Sequence, residues 1–200
     1  IDTGHIMMRE QCRISETDTA GDIHDRLMEI GARTVVQTVD AIIDKNVELR
    51  LQKSFIQGSE VLRGAPKLSR ELCHIDWDLP SRGICNLIRG LSPYPGAFTE
   101  IVREGSAPVQ MKIFSAETLP AGELPGLEGW KEGLAPGTVL TDGRSLLAVT
   151  TADGAVSIRE LQISGKKRMD TRSFLAGWRE TSASCTKGTS SQVLRQWGKA

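Results

Sequence analysis

The apolar positions Ile23, Leu27, Ile30, Val35, Val39 and Ile42 recur at close to helical spacing and predict one long helix reaching Ile43. Thr17 or Asp18 supplies its N-cap, because a short side-chain oxygen can accept from the free amides of a first turn. Gly31 falls inside the pattern at a cost of about 1 kcal/mol against alanine, which marks a bend or a close packing contact. Ahead of this helix, Ile6 to Ile14 is apolar at its start and polar at its end, and it reads as a strand. A strand followed by one long helix is what the tail of an α/β domain presents.

From Asp44 to Pro66 the periodicity fades, and Gly58, Gly64 and Pro66 interrupt a mixed polar sequence. This is read as a linker over 45–66, closing an α/β segment over 1–44. Leu79 to Gly90 then predicts a short helix with Pro80 near its first turn and Gly90 just past its end. Its apolar face is Ile84, Leu87, Ile88 and Leu91. Beyond Pro95 the period changes to that of strands: Phe98–Val102, Val109–Phe114, Thr138–Leu140, Leu146–Thr150 and Val156–Leu161, with turns at Asp142-Gly143 and Asp153-Gly154. Several short strands at this spacing predict a small barrel. Leu119 to Gly137, rich in Gly, Pro and Glu, reads as a long surface loop. A last helix starts at Asp170 or Thr171 and carries Phe174, Leu175 and Trp178 to about Arg179. The fold class is thus α/β plus all-β, with the barrel over 67–180 and a Ser/Thr-rich tail over 181–200 expected to be disordered.

Composition adds bounds. The 200 residues are 39% hydrophobic and 25% charged, enough for one full domain and part of another around a real core. Lys+Arg and Asp+Glu are equal, so the whole-chain field favours no polyanion, but the end is basic. From Lys166 onward eight cations face only Asp170 and Glu180. The four cysteines form no Cys-x-x-Cys pair, which suits a reducing cytoplasm. No apolar run is long enough to span a bilayer.

Three strings identify a relationship. The chain opens Ile1-Asp2-Thr3-Gly4, passes through Ile75-Asp76-Trp77, and then reads Leu91-Ser92-Pro93-Tyr94-Pro95-Gly96-Ala97. In this order they resemble the methionyl-tRNA formyltransferase family, and the resemblance extends from residue 1 to about 180. It implies that 1–44 is the end of a Rossmann-like formyltransferase domain and that 67–180 is an OB-fold-like barrel that helps hold tRNA. On that reading the chain is the C-terminal portion of a longer enzyme and is inactive by itself. Asp2 alone is an acid in a turn-like string. The resemblance makes it the catalytic carboxylate, standing beside a histidine and an asparagine from an earlier stretch of the family's chain. The chemistry needs such a trio, because an amine attacks the formyl carbon of 10-formyltetrahydrofolate, an oxyanion develops and a proton must leave the nitrogen.

Other candidates receive lesser roles. His5 stands where the family commonly has an acid, and it is read as packed or solvated. Cys73-His74 with Cys85 lacks the second close pair of a zinc site, so these cysteines are assigned to the core and no metal is expected. The Asp76-Trp77-Asp78 acids are read as structural, with Trp77 packed and an acid preceding or capping the helix. Pro93-Tyr94-Pro95 is stiff, because each proline fixes its own φ and restricts its predecessor, and it joins helix to barrel. Gly165-Lys166-Lys167-Arg168-Met169 also resembles the family. Three adjacent cations suit phosphate contact, and with Arg82 and Arg89 they form the expected RNA surface.

The implied activity is formyl transfer from 10-formyltetrahydrofolate to the amino group of initiator methionyl-tRNA in the cytoplasm, with no membrane partner. The competing readings are a folate-dependent amino-sugar nucleotide formyltransferase, which would share Asp2, and a non-catalytic RNA-binding module.

Overall fold

The computed structural model describes residues 4–56, 58, 64–65, 67–103, 107–120, 134–178 and 183–185. The chain divides into two compact units between Gly64 and Ala65. In the first, helix α1 (Ala20–Ile43) is capped by Thr19, one residue beyond the expected caps. Thr19 Oγ1 accepts from the Asp22 amide at 3.2 Å, and Asp22 Oδ2 accepts from the Thr19 amide at 2.8 Å. This reciprocal box satisfies two amides at the helix start. Asp18 instead accepts from the Ser15 amide at 2.7 Å and pairs with both terminal nitrogens of Arg26 at 3.0 and 3.1 Å. Gly31 is not a packing contact, since a Cβ there would meet nothing within 4 Å.

One expectation for this unit is corrected. The strand over Ile6 to Ile14 is reduced to one antiparallel bridge between Ile6 and Arg50, because a strand needs a partner ladder and among the described residues only Arg50 offers one. The stretch read as a linker is partly folded. It carries a 3₁₀ turn over Gln52–Phe55, Gln52 Nε2 donates to Gly4 O at 2.9 Å, and the Arg9 guanidinium lies 4.1 Å from the Phe55 ring centroid. No residue of α1 is buried within the described chain, and Leu27, Val35, Val39 and Ile42 stay exposed.

The second unit contains α2 (Arg70–Cys73), α3 (Ser81–Leu91), β1 (Ala97–Arg103), β2 (Val109–Pro120), β3 (Val139–Thr141), β4 (Leu147–Thr150), β5 (Gly154–Ile163), β6 (Met169–Asp170), α4 (Thr171–Ala176) and β7 (Ala183–Cys185). All pairings are antiparallel, in the order β3-β4-β5-β2-β1-β7, with β6 added to β5. The two ends of this order meet. Cys185 N donates to Gly137 O at 2.8 Å, just before β3, so the sheet is curled. A register shift in β2 between Ile113 and Ser115 is the irregularity that bends a long strand.

Strand alternation sorts residues onto two faces. Ala97, Thr99 and Ile101 of β1, Met111 and Ile113 of β2 and Leu161 of β5 turn inward and are buried. Against them α3 lays Ile84, Leu87, Ile88 and Leu91, the face that its sequence spacing predicts. Gly90 lies inside this helix, because burial of Leu91 carries the apolar stripe one residue further. Trp77 is fully buried, its Nε1 donating to Thr99 Oγ1 at 3.2 Å. Both neighbouring acids precede α3. Asp76 accepts from the Asp78 amide at 3.1 Å, and the cap comes from Asp153, 72 positions away, which accepts from the Ser81 amide at 2.7 Å.

The stretch read as a disordered tail also departs from expectation. Ala183–Cys185 forms β7 on β1, and Cys185 is buried. The signal was hidden because a three-residue edge strand has no periodicity of its own. Most of the expected loop over Leu119 to Gly137 lies outside the described residues, and its first two positions continue β2. Among the described residues no helix is long and apolar enough to cross a membrane.

Candidate nucleic-acid interface

The sequence proposes five cations for one RNA surface, and the structure separates them. Arg82 and Arg89 are carried by α3, whose apolar stripe covers the inner face of β2 and β5, so the two arginines lie on the opposite, outward side of the helix. Arg82 is exposed, and Arg89 donates to Asn86 Oδ1 at 2.8 Å.

Lys166, Lys167 and Arg168 lie in the turn that follows β5, where Lys166 lines a pocket with the inward-facing Ile101 and Ile163 and with Phe174 of α4. Gln162, on the outer face of β5, donates from Nε2 to Lys166 O at 2.8 Å and ties the turn to that face. Gly165 reverses the chain there with a φ of +77°. Both lysines are exposed. Arg168 is engaged differently. Its Nε and Nη2 donate to Glu160 Oε1 and Oε2 at 2.6 and 2.5 Å, and its guanidinium carbon lies 4.3 Å from the Phe114 ring centroid. A planar fork matched to a carboxylate and seated on a ring is a held group, with its charge answered locally.

The same outer face carries cations that the sequence reading did not select. Lys112 pairs in register with Phe98 on one side and Gln162 on the other, so all three point outward together. Its Nζ donates to Pro95 O at 2.8 Å. Gly96, with φ +85°, passes so close that a Cβ there would sit 3.3 Å from both Lys112 and Phe114 side-chain carbons, which explains glycine after the Pro-Tyr-Pro corner. Arg70 of α2 lies 5.5 Å from the centroid of Phe98, whose ring also stacks on His74 at 4.8 Å with planes 11° apart. Burial lowers the His74 pKa below the usual imidazole range. Lys112 was legible only as the polar member of an alternating strand. Arg70 carried no sequence signal.

The described residues contain no group of three or more His, Cys, Asp or Glu side chains arranged to hold a metal. Cys73 and Cys85 are buried in the core. His5 is exposed. Asp2 lies outside the described residues.

Residues 67–179 match the family "Formyl transferase, C-terminal domain". The chain belongs to the formyl transferase family. The match spans α2 through α4, which is the curled sheet with the helix that fills it. Among individual relatives, the methionyl-tRNA formyltransferase of Bacteroides fragilis is 40% identical over 183 residues, covering 92% of this chain and 53% of that protein. That of Azobacteroides pseudotrichonymphae is 42% identical over 177 residues, covering 88% and 52%. The resemblance carried by the three sequence strings is therefore borne out, and the chain spans about half the length of the relatives it matches. Among solved structures, HypX from Aquifex aeolicus in complex with tetrahydrofolic acid superposes with a TM-score of 0.58 at 17% identity, covering 93% of this chain and 32% of that one. At that identity the likeness concerns the formyl transferase fold.

Proposed function

We propose that this chain is the C-terminal part of a methionyl-tRNA formyltransferase, which moves a formyl group from 10-formyltetrahydrofolate to the amino group of initiator methionyl-tRNA. The observation that carries the reading is 40% identity across 92% of the chain to proteins bearing that name. The exposed lysines of the turn after β5 are consistent with it, since a tRNA backbone is met first through its phosphates.

In the reaction the methionyl nitrogen attacks the formyl carbon and a C–N bond forms. The carbonyl oxygen becomes an oxyanion, and collapse breaks the bond to N10 of the folate. The proton lost by the amine ends on that N10, leaving tetrahydrofolate. Asp2 is assigned the carboxylate that orients the family's imidazole and assists this proton transfer. Lys166 and Lys167 are assigned to tRNA phosphate contact, with Arg82 and Arg89 as a second set on α3. Arg168 contributes less, because Glu160 already answers its charge.

The two units are assigned accordingly: 1–44 to the end of a Rossmann-like catalytic domain, 45–66 to the linker, and 67–180 to an OB-fold-like barrel that holds tRNA, extended by β7. The exposed apolar stripe of α1 supports the first assignment, because a helix of a doubly wound domain buries that stripe on a sheet. Free cysteines throughout support a cytoplasmic setting.

Titration of this 200-residue chain with methionyl initiator tRNA at two salt concentrations tests the barrel's part, with salt-sensitive binding expected. Formylation by the complete enzyme tests the whole. An enzyme that formylated an amino-sugar nucleotide and left methionyl-tRNA untouched would overturn the assignment.

A further inference from the structure

We propose that the groove between α2 and the outer faces of β1 and β2 is a phosphodiester site, in which Arg70 and Lys112 clamp one backbone phosphate of the bound tRNA. The site rests on the tRNA reading above and extends it to residues outside the expected RNA surface. The groove encloses about 400 Å³ and is lined by Arg70 and Lys112 together with Ser69, Gln110, Pro95 and Phe98 among others. None of its lining residues is acidic. Glu100, across from Gln110 in the ladder, shares the sheet face but does not line the groove.

The cations are held in place before any ligand arrives. Lys112 spends one of its three N–H donors on Pro95 O at 2.8 Å, which anchors the ammonium at the groove floor and leaves two donors for an oxyanion. Arg70 sits near the Phe98 ring, a contact that places the guanidinium without using up its N–H donors. Phe98 is itself immobilised by the stacked His74 ring and by its ladder partner, which is Lys112. One aromatic ring therefore fixes the separation of the two cations. An arginine fork and a point-charge ammonium lining one groove suit the oxygens of a phosphodiester.

The groove also continues into the expected surface. Lys112 neighbours Gln162 in the ladder, and Gln162 holds the Lys166 carbonyl. Adjacent strands lie about 5 Å apart, so a nucleic-acid backbone leaving the groove along this ladder approaches the turn that carries Lys166 and Lys167.

The test compares the wild-type chain with Arg70→Gln/Lys112→Gln and with Arg144→Gln, an exposed cation at the β3–β4 turn, in tRNA binding across a salt series. Removing both clamp residues releases one phosphate and is expected to lower the slope of log K against log salt by about 0.7 to 0.9 in all. Arg144→Gln is expected to leave it unchanged. A second measurement needs no variant: tRNA should protect Lys112 of the wild-type chain from acetylation, read by mass spectrometry. Wild-type binding with an unaltered slope in the double variant and no protection of Lys112 would overturn the clamp and leave the tRNA reading standing. Absence of salt-dependent binding by the wild-type chain would overturn both.

Discussion

Asp153 and Ser81 meet across 72 residues of chain, the carboxylate oxygen accepting from the Ser81 amide at 2.7 Å and from its hydroxyl at 2.9 Å. This contact joins the β4–β5 turn to the first residue of α3, whose own N-cap position is Pro80, with no side-chain oxygen to offer. Thr151 Oγ1 lies 2.7 Å from Ser81 Oγ and completes a small network in which Ser81 and Thr151 are buried and Asp153 is exposed.

Asp153→Ala is expected to destabilise the second unit by about 1 to 2 kcal/mol, the ordinary range for losing a helix cap. The Ser81 amide first, helped by the Ser81 and Thr151 hydroxyls, holds the Asp153 carboxyl below the usual range against the opposing effect of desolvation. A depressed folded-state pKa contributes stability that is complete above the unfolded value of about 3.9 and is lost as pH falls through the folded value. Urea titrations from pH 7 down to 3 should show that this acid-side loss is smaller in Asp153→Asn than in wild type. Equal pH dependence would remove Asp153 from this role.

Gly137 sits where the two edges of the curled sheet touch. Its φ is +91°, and an added Cβ would lie 3.0 Å from Cys185 O. Gly137→Ala is expected to cost about 1 to 3 kcal/mol through backbone strain and displacement of β7. Truncation after residue 182 should destabilise in the same direction, and a truncated chain of wild-type stability in urea would show that β7 is dispensable.

Thiol chemistry reports the same packing. Burial pushes the Cys85 thiol up to about 11 and the Cys185 thiol up to about 12, and Cys73 is likewise raised and buried. Cys12 is the partly exposed one. A disulfide reagent at pH 8 should therefore modify Cys12 in the folded protein and reach the other three only on unfolding. Rapid native-state labelling of Cys185 would contradict its place in the core.

The cations of the turn after β5 should differ in their effect on tRNA binding. Lys166→Ala and Lys167→Ala are each expected to lower the salt slope by about 0.7 to 0.9. Arg168→Ala should lower it less, because Glu160 and Phe114 already hold that guanidinium. A larger change for Arg168 than for either lysine would mean that the ion pair opens for the ligand.

In the complete enzyme, Asp2→Asn is expected to reduce kcat by on the order of 10² to 10⁴ while leaving the affinity for methionyl-tRNA unchanged, as removal of a proton-transfer partner does. Single-turnover formylation together with a separate binding assay checks both halves. Undiminished turnover would exclude the catalytic role.

The helices were legible wherever an apolar stripe was long enough to repeat. Ile84, Leu87, Ile88 and Leu91 declared the buried face of α3, and Ile23 to Ile42 declared α1, although none of its residues is buried within the described chain. The central strands were legible from their apolar runs, but β2 and β5 extend beyond the expected ends. Pairing between Ser115–Pro120 and Gly154–Glu160 sustains extended backbone past the point where the apolar signal stops. Ile6 to Ile14 failed in the opposite way, having strand-like composition and no ladder to join.

By itself the sequence determined the family, through three short strings in a fixed order, and the local elements, through periodicities that any single segment carries. Tertiary structure alone decided what depends on residues far apart in the chain. It supplied Asp153 as the cap of α3, recruited Ala183–Cys185 to an edge of the sheet, and divided five expected cations between the outward side of a helix and the turn after β5. The reason is physical. Periodicity records which side of an element is apolar, whereas the partner of a hydrogen bond or a charge is set by how the sheet curls, and that curl is a property of all its strands together.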